Sequence, residues 1–233
     1  LAIFTLVRRK SLPVFRELAA FKRVRRSAGL AVEEGTRIHV SLGRGGLLTR
    51  QGAAGLAGLA LLRQLGEQTS TSDRPSLATS GDPVIAALSQ DTLETAYQAV
   101  GAGELYQATN ARLAGLTPFS YAAGTMPTVR GEQISTNILI GDFGPEVALI
   151  ADAVERENSA LVGAASDPAA QAILFAVTPE PMMGEELFAA PAYADGKNPS
   201  HRASLQAQDV LRWIVILALL VSPFAAVILG FAK

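Results

Sequence analysis

Twenty residues near the end of the chain, Trp213 to Ala232, carry no formal charge, and this stretch limits what the whole can be. At 1.5 Å of rise per residue they make a helix ~30 Å long, the thickness of a bilayer's hydrocarbon core. Arg212 and Lys233 bracket the run, and Trp213 stands where an interfacial aromatic belongs. Ser222 and Pro223 interrupt it, which a membrane helix tolerates as a kink. Buried helices of soluble proteins are shorter and broken by polar residues. The sequence therefore predicts a C-terminal transmembrane helix over 211–233, entered through a Pro/Gly/Asn-rich linker at 191–210.

The other end is built to match. Residues 1–7 are apolar but too few to span, and Arg8, Arg9 and Lys10 follow at once, so 1–10 read as the end of an N-terminal membrane span. Residues 1–32 hold eight Lys/Arg against Glu17, a net of +7; because the whole chain carries −1, the remainder carries −8. Under the positive-inside rule this cluster marks the cytoplasmic side of an inner membrane, with an α/β domain at 33–190 on that side. Residues 11–32 read as a basic amphipathic juxtamembrane helix, with Ser11 as N-cap and Val14, Leu18 and Phe21 on one face. Membrane lipid is the expected partner of its basic side. The alternative is an ordinary helix packed on the domain with a solvated basic face. No aromatic–basic pattern points to nucleic acid. The chain has no cysteine, which removes disulfides and thiolate chemistry, and only two histidines, His39 and His201.

Between the ends, strand and helix signals alternate. Thr36 to Leu42 alternates perfectly, with Ile38, Val40 and Leu42 on one face and Arg37, His39 and Ser41 on the other. That is a strand with one wet side and a surface His39. Gly52 to Leu62 reads as a small-residue helix, Gly66 to Arg74 as a loop, and Ser76 to Ser80 as a buried strand. Asp82-Pro83 and Asp167-Pro168 are N-cap and first-turn pairs that open helices. Asp91 and Glu94 suggest a further helix start before Gly101. Strands are expected at Asn110–Leu116, Pro118–Ala123, Ile134–Ile140 and Ala160–Ala165, a turn at Thr125–Gln133, a helix at Glu146–Glu157 and a break at Pro179–Gly184.

Two stretches repeat one another: Pro75 to Leu88 (PSLATSGDPVIAAL) and Ala160 to Leu174 (ALVGAASDPAAQAIL) each run strand, small-residue turn, Asp-Pro, helix. Each follows a strand, a Gly-rich turn and a helix. Two strand–helix–strand–helix halves imply right-handed crossovers and a sheet covered on both sides. The expected fold is a three-layer, Rossmann-like α/β domain with a mainly parallel sheet, flanked by transmembrane helices.

Ligands of such sheets bind beyond the carboxyl ends of the strands, where helix N-termini offer N–H groups. The candidate ligand-binding residues are therefore Gly43, Arg44, Gly45 and Gly46, then Ser80 and Gly81, then Gly141, Asp142 and Gly144, with Arg44 as the partner of an anion. Neither G-x-G-x-x-G nor G-x-x-x-x-G-K-[ST] is present. Asp142-Phe143-Gly144 matches a kinase tripeptide by chance, without the accompanying motifs. No pair of groups stands out as acid and base, so no catalytic residue, metal or cofactor is expected.

The basic segment RRKSLPVFRELAAFKRVRRSAGL, the SGDP and SDP turns, ILIGDFGPE and the terminal apolar run together resemble an uncharacterised family of prokaryotic membrane-anchored proteins, known only as a domain of unknown function. The resemblance covers most of the chain and carries over no activity, ligand or functional residue. The expected function is a membrane-anchored, non-enzymatic interaction or scaffold module, with a sensor or enzyme domain for an anionic small molecule or nucleotide as the alternative. Ala226 and Gly230 have the small-xxx-small spacing that lets membrane helices touch, so a homo-oligomer is expected, with other membrane proteins as further partners.

Overall fold

The structure, a computed structural model, describes residues 16–49, 51–194 and 199–231. Five parallel strands form one sheet: β1 (Arg37–Gly43), β2 (Leu77–Ser80), β3 (Ala111–Leu113), β4 (Ile134–Asp142) and β5 (Ala160–Ala165). Their order is β3-β2-β1-β4-β5, every neighbouring pair parallel. The first half winds from the centre to one edge and the second half to the other. Right-handed crossovers then place the two sets of helices on opposite faces. One face carries α1 (Ala19–Glu34), α2 (Gly52–Thr69), α3 (Pro83–Ala99) and, from the C-terminal part, α7 (Glu186–Ala194). The other carries α4 (Pro118–Gly131), α5 (Val147–Arg156) and α6 (Pro168–Val177).

The glycines of α2 have a packing reason. A Cβ on Gly58 would lie 2.5 Å from Leu42 Cδ2 and 2.8 Å from the Ile140 carbonyl oxygen. The helix axis therefore sits closer to β1 and β4 than any side chain permits, which offsets the ~1 kcal/mol that a helical glycine costs. Asp82 and Asp167 are the N-caps expected of them: each Oδ1 accepts from two N–H groups of its helix, Val84 and Ile85 or Ala169 and Ala170, with proline in the first turn.

Several expectations are corrected. β1 has no wet side: as the third of five strands it is covered on both faces, and His39 and Ser41 are wholly buried. α2 continues to Thr69 through the segment read as a loop, because Leu65, Gly66 and Thr69 still face the core. α3 runs unbroken through Asp91 and Glu94. Pro118 to Gly131 is a helix, not a strand and a turn. Thr117 and Ser120 cap its start reciprocally, and Pro127 lies inside it without ending it. Pro191 falls inside α7, and α8 (Pro199–Phe231) is helical across most of the segment expected to be a linker.

The basic helix is also corrected in part. Ser11 to Val14 lie outside the described residues, and α1 begins at Ala19. Its apolar side, Phe21, Val24, Ala28 and Ala31, is buried in the domain core, and Phe21 stacks on Tyr193 with ring centroids 4.9 Å apart. Arg16 and Arg23 pair with Glu186 and Glu180 at 2.6 and 2.8 Å, while Lys22, Arg25 and Arg26 face solvent.

The chain divides into two compact units, and α8 lies outside the one formed by Arg16–Asp195. Within α8, His201–Pro223 is the one stretch among the described residues that is long and apolar enough to cross a membrane. The expected span at 1–10 lies outside the described residues.

Candidate functional site

The turns singled out in the sequence do meet at the carboxyl edge of the sheet, joined mostly by backbone hydrogen bonds. Gly81 N–H donates to the Gly43 carbonyl at 2.8 Å, Arg44 N–H to the Asp142 carbonyl at 2.7 Å, and Ser166 N–H to the Gly141 carbonyl at 3.1 Å. The Ser166 hydroxyl also donates to the Asp142 carboxylate. Ser80 closes its own turn, its Oγ accepting from Asp82 N–H at 3.1 Å and donating to the Asp82 carbonyl at 3.0 Å. Gly43 has a positive φ of 73°, and a Cβ there would stand 2.1 Å from the Asp142 carbonyl oxygen, so no other residue lets β1 and β4 end this close together. Gly45 packs against the Asp142 side chain, and the Gly46 carbonyl accepts from Thr49 N–H and Oγ1 at 3.0 and 2.7 Å.

Arg44 is already paired. Its Nε donates to Glu146 Oε1 at 2.7 Å, and the same oxygen accepts from Gly144 N–H at 3.0 Å. The Glu146 side chain is nearly inaccessible. Burial alone would raise its pKa. The Gly144 N–H and the Arg44 guanidinium outweigh burial and hold the carboxyl below its ordinary value. Among the described residues of these turns, four carboxylates (Asp82, Asp142, Glu146 and Asp167) stand with one cation, Arg44. The N–H groups a phosphate would seek on α3 and α6 already donate to Asp82 and Asp167. The first turn of α2 has no side-chain cap. No cluster of three or more His, Asp or Glu able to hold a metal ion occurs among the described residues.

Sequence reading places the Ala165–Asp167 turn, with Ser166, at this edge, and missed Glu146 and Tyr121. An acid directly after a Gly-Pro corner, at the start of a helix, was a signal for Glu146. Tyr121 carried none, because its helix was read as a strand. From α4 its hydroxyl accepts from Gly43 N–H at 3.1 Å and shares a 2.5 Å hydrogen bond with Ser41 Oγ; burial pushes the phenol up from its usual value.

Beneath these turns, a polar row crosses three strands of the α4 face. His39 Nδ1 lies 2.8 Å from Asn137 Oδ1, and His39 Nε2 lies 2.8 Å from Thr79 Oγ1. Asn137 Nδ2 donates to Ser159 Oγ at 2.9 Å. With the amide nitrogen so used, Asn137 Oδ1 accepts, His39 carries its proton on Nδ1, and Thr79 donates to Nε2. Burial lowers the imidazole to about 4, against the opposing effect of the hydrogen bond that His39 donates to Asn137. His39 is thus neutral at pH 7. Beside Thr79 a cavity of about 310 Å³ opens between β2, β3 and α4.

A doubly wound α/β domain with its centre strands β1 and β4 at the point where the winding reverses is the class that this order of strands defines. The chain belongs to the domain of unknown function DUF6754, whose family model matches residues 1–232. No curated protein and no solved structure matches it.

Proposed function

We propose that the protein is a membrane-anchored, non-enzymatic interaction module of prokaryotic cells. In this reading α8 holds the α/β domain at the inner membrane on the cytoplasmic side, and the protein self-associates there. The observation that carries it is the closed carboxyl edge: Arg44 is bound by Glu146, and Asp82 and Asp167 occupy the N–H groups that an anionic substrate would need. The apolar stretch of α8 supports the anchor. The basic excess of residues 1–32, including the exposed Lys22, Arg25 and Arg26, supports the cytoplasmic side and contact with anionic lipid. Ala226 and Gly230 support helix–helix contact in the membrane.

The uncapped start of α2 beside Gly45 and Gly46 favours a second reading, a sensor for an anionic small molecule or nucleotide. One sample in mild detergent decides between them. We expect native mass measurement to give an oligomer that Gly230→Leu weakens, and ATP and NAD to leave the melting temperature unchanged. A monomer at every concentration overturns self-association. A saturable nucleotide shift, worth ~2.7 kcal/mol at a hundred times Kd, supports the sensor instead.

A further inference from the structure

The cavity between the β2–β3 edge and α4 belongs to neither reading above. Its walls combine Leu113 and Pro127 with Thr79, Thr128, Arg112 and Glu132, and its volume of about 310 Å³ is at the small end of ligand sites. Three features point to an occupant. First, the one carboxylate of its wall is matched twice over: Glu132 is shared by Arg112 Nη1 at 2.8 Å and, from outside the lining, by Arg37 Nη1 at 3.1 Å. Arg112 is further held by Nε, which donates to the Thr109 carbonyl at 2.8 Å, and its side chain remains 38% exposed. The group is thus oriented and still reachable, as a planar fork for a carboxylate must be.

Second, Thr128 lines the cavity, is 4% exposed, and has no hydrogen-bond partner among the described residues. Its hydroxyl is therefore free to bond to a molecule that enters the cavity. Third, Thr79 also lines the cavity and is 1% exposed. Its proton goes to His39, which leaves acceptor lone pairs on its oxygen. Leu113 and Pro127 offer apolar surface to a short hydrocarbon body.

We propose that this cavity is a binding site for a small organic carboxylate, with Arg112 and the Thr128 hydroxyl receiving the carboxylate, Thr79 bonding a further polar substituent where one is present, and Leu113 and Pro127 packing the apolar part. The site is independent of the carboxyl-edge turns, so its failure leaves the scaffold reading intact.

The test is isothermal titration of the full chain in detergent with benzoate, benzamide as the neutral isostere, and inorganic phosphate as the anion without a body. We expect saturable benzoate binding, at least tenfold weaker binding of benzamide and of phosphate, and at least tenfold weaker benzoate binding in Arg112→Gln. Thr128→Val guards against a variant that merely misfolds, because it removes a hydroxyl with no partner among the described residues. Its melting temperature without added benzoate should equal or exceed that of the wild type, while benzoate binding weakens about threefold or more. Benzoate that does not bind at millimolar concentration, that binds no better than benzamide or phosphate, or that is unaffected by both substitutions overturns the proposal.

Discussion

The two faces of the sheet are built from the same strands and held in different ways. Toward α1, α2, α3 and α7, the strands present Ile38, Val40 and Leu42 from β1, Ile138 and Ile140 from β4, and Val162 from β5, all buried in one continuous apolar core. Toward α4, the centre of the same strands presents His39, Ser41, Thr79 and Asn137, joined to Tyr121 and to one another by hydrogen bonds. Apolar packing resumes on that side around β4, β5 and α5, with Leu139, Phe143, Val147 and Ile150, and takes in Ala122 and Val129 of α4 and Leu174 of α6. Burial is non-directional and rewards any close fit. A buried polar row accepts one register and one rotamer set, because each unmatched group costs roughly 1–3 kcal/mol. The first face supplies adhesion. The second fixes which strand lies beside which.

Cutting into the apolar face should cost most. Leu42→Ala removes a side chain that is 1% exposed beneath Gly58, and about 2–5 kcal/mol of stability should go with it in urea unfolding followed by circular dichroism. A loss below about 1 kcal/mol would mean that this face is not tightly packed.

The polar face should reveal itself in pH dependence. The unfolded chain protonates His39 near its ordinary 6.5, whereas the folded chain does so only at about 4. Between those values the unfolded state holds more protons. His39's contribution is therefore intact above the unfolded value and is lost as pH falls from about 6.5 to about 4, for a total of about 3 kcal/mol. The difference between wild type and His39→Gln should carry this slope. Parallel curves for the two proteins across that window would show that His39 is not held neutral.

A smaller effect should come from the link between that face and the candidate site. Tyr121→Phe strands the Gly43 N–H and the Ser41 hydroxyl, and about 1–2 kcal/mol should be lost. Amide exchange should quicken at Gly43 and its neighbours while α5 keeps its protection. Uniform loosening would instead make Tyr121 a general packing residue.

The apolar face was legible in the sequence because alternation and small-residue periodicity record burial directly. The Ile38-Val40-Leu42 stripe, the Asp-Pro caps and the repeat that implies a two-way winding all came from local pattern. The polar face was not legible. A strand with polar residues at every second position reads as half-wetted, and the partners that make burial of His39 tolerable, Thr79 and Asn137, lie on strands that only topology brings alongside. α4 failed for a different reason. Its cap uses Thr117 with Ser120 instead of an acid, and Pro127 imitates a helix stop. At the carboxyl edge the meeting of the turns followed from the fold class, but the role expected of Arg44 did not. The glutamate that binds it arrives from the second half of the chain.

The order of the strands also bears on how the protein is made. β1 pairs on one side with β4, and His39 and Asn137, neighbours across that seam, are 98 residues apart in sequence. As the chain leaves the ribosome, the first half has its central strand open along one edge, with an imidazole exposed there, until the crossover helix and β4 have been synthesised. Loop closure over that distance comes late, and an unpaired inner strand edge is a template for wrong partners. The seam at the middle of the finished sheet thus closes only after the whole first half has been made. A ribosome that stalls between β3 and β4 would leave an aggregation-prone fragment, not a stable half-domain.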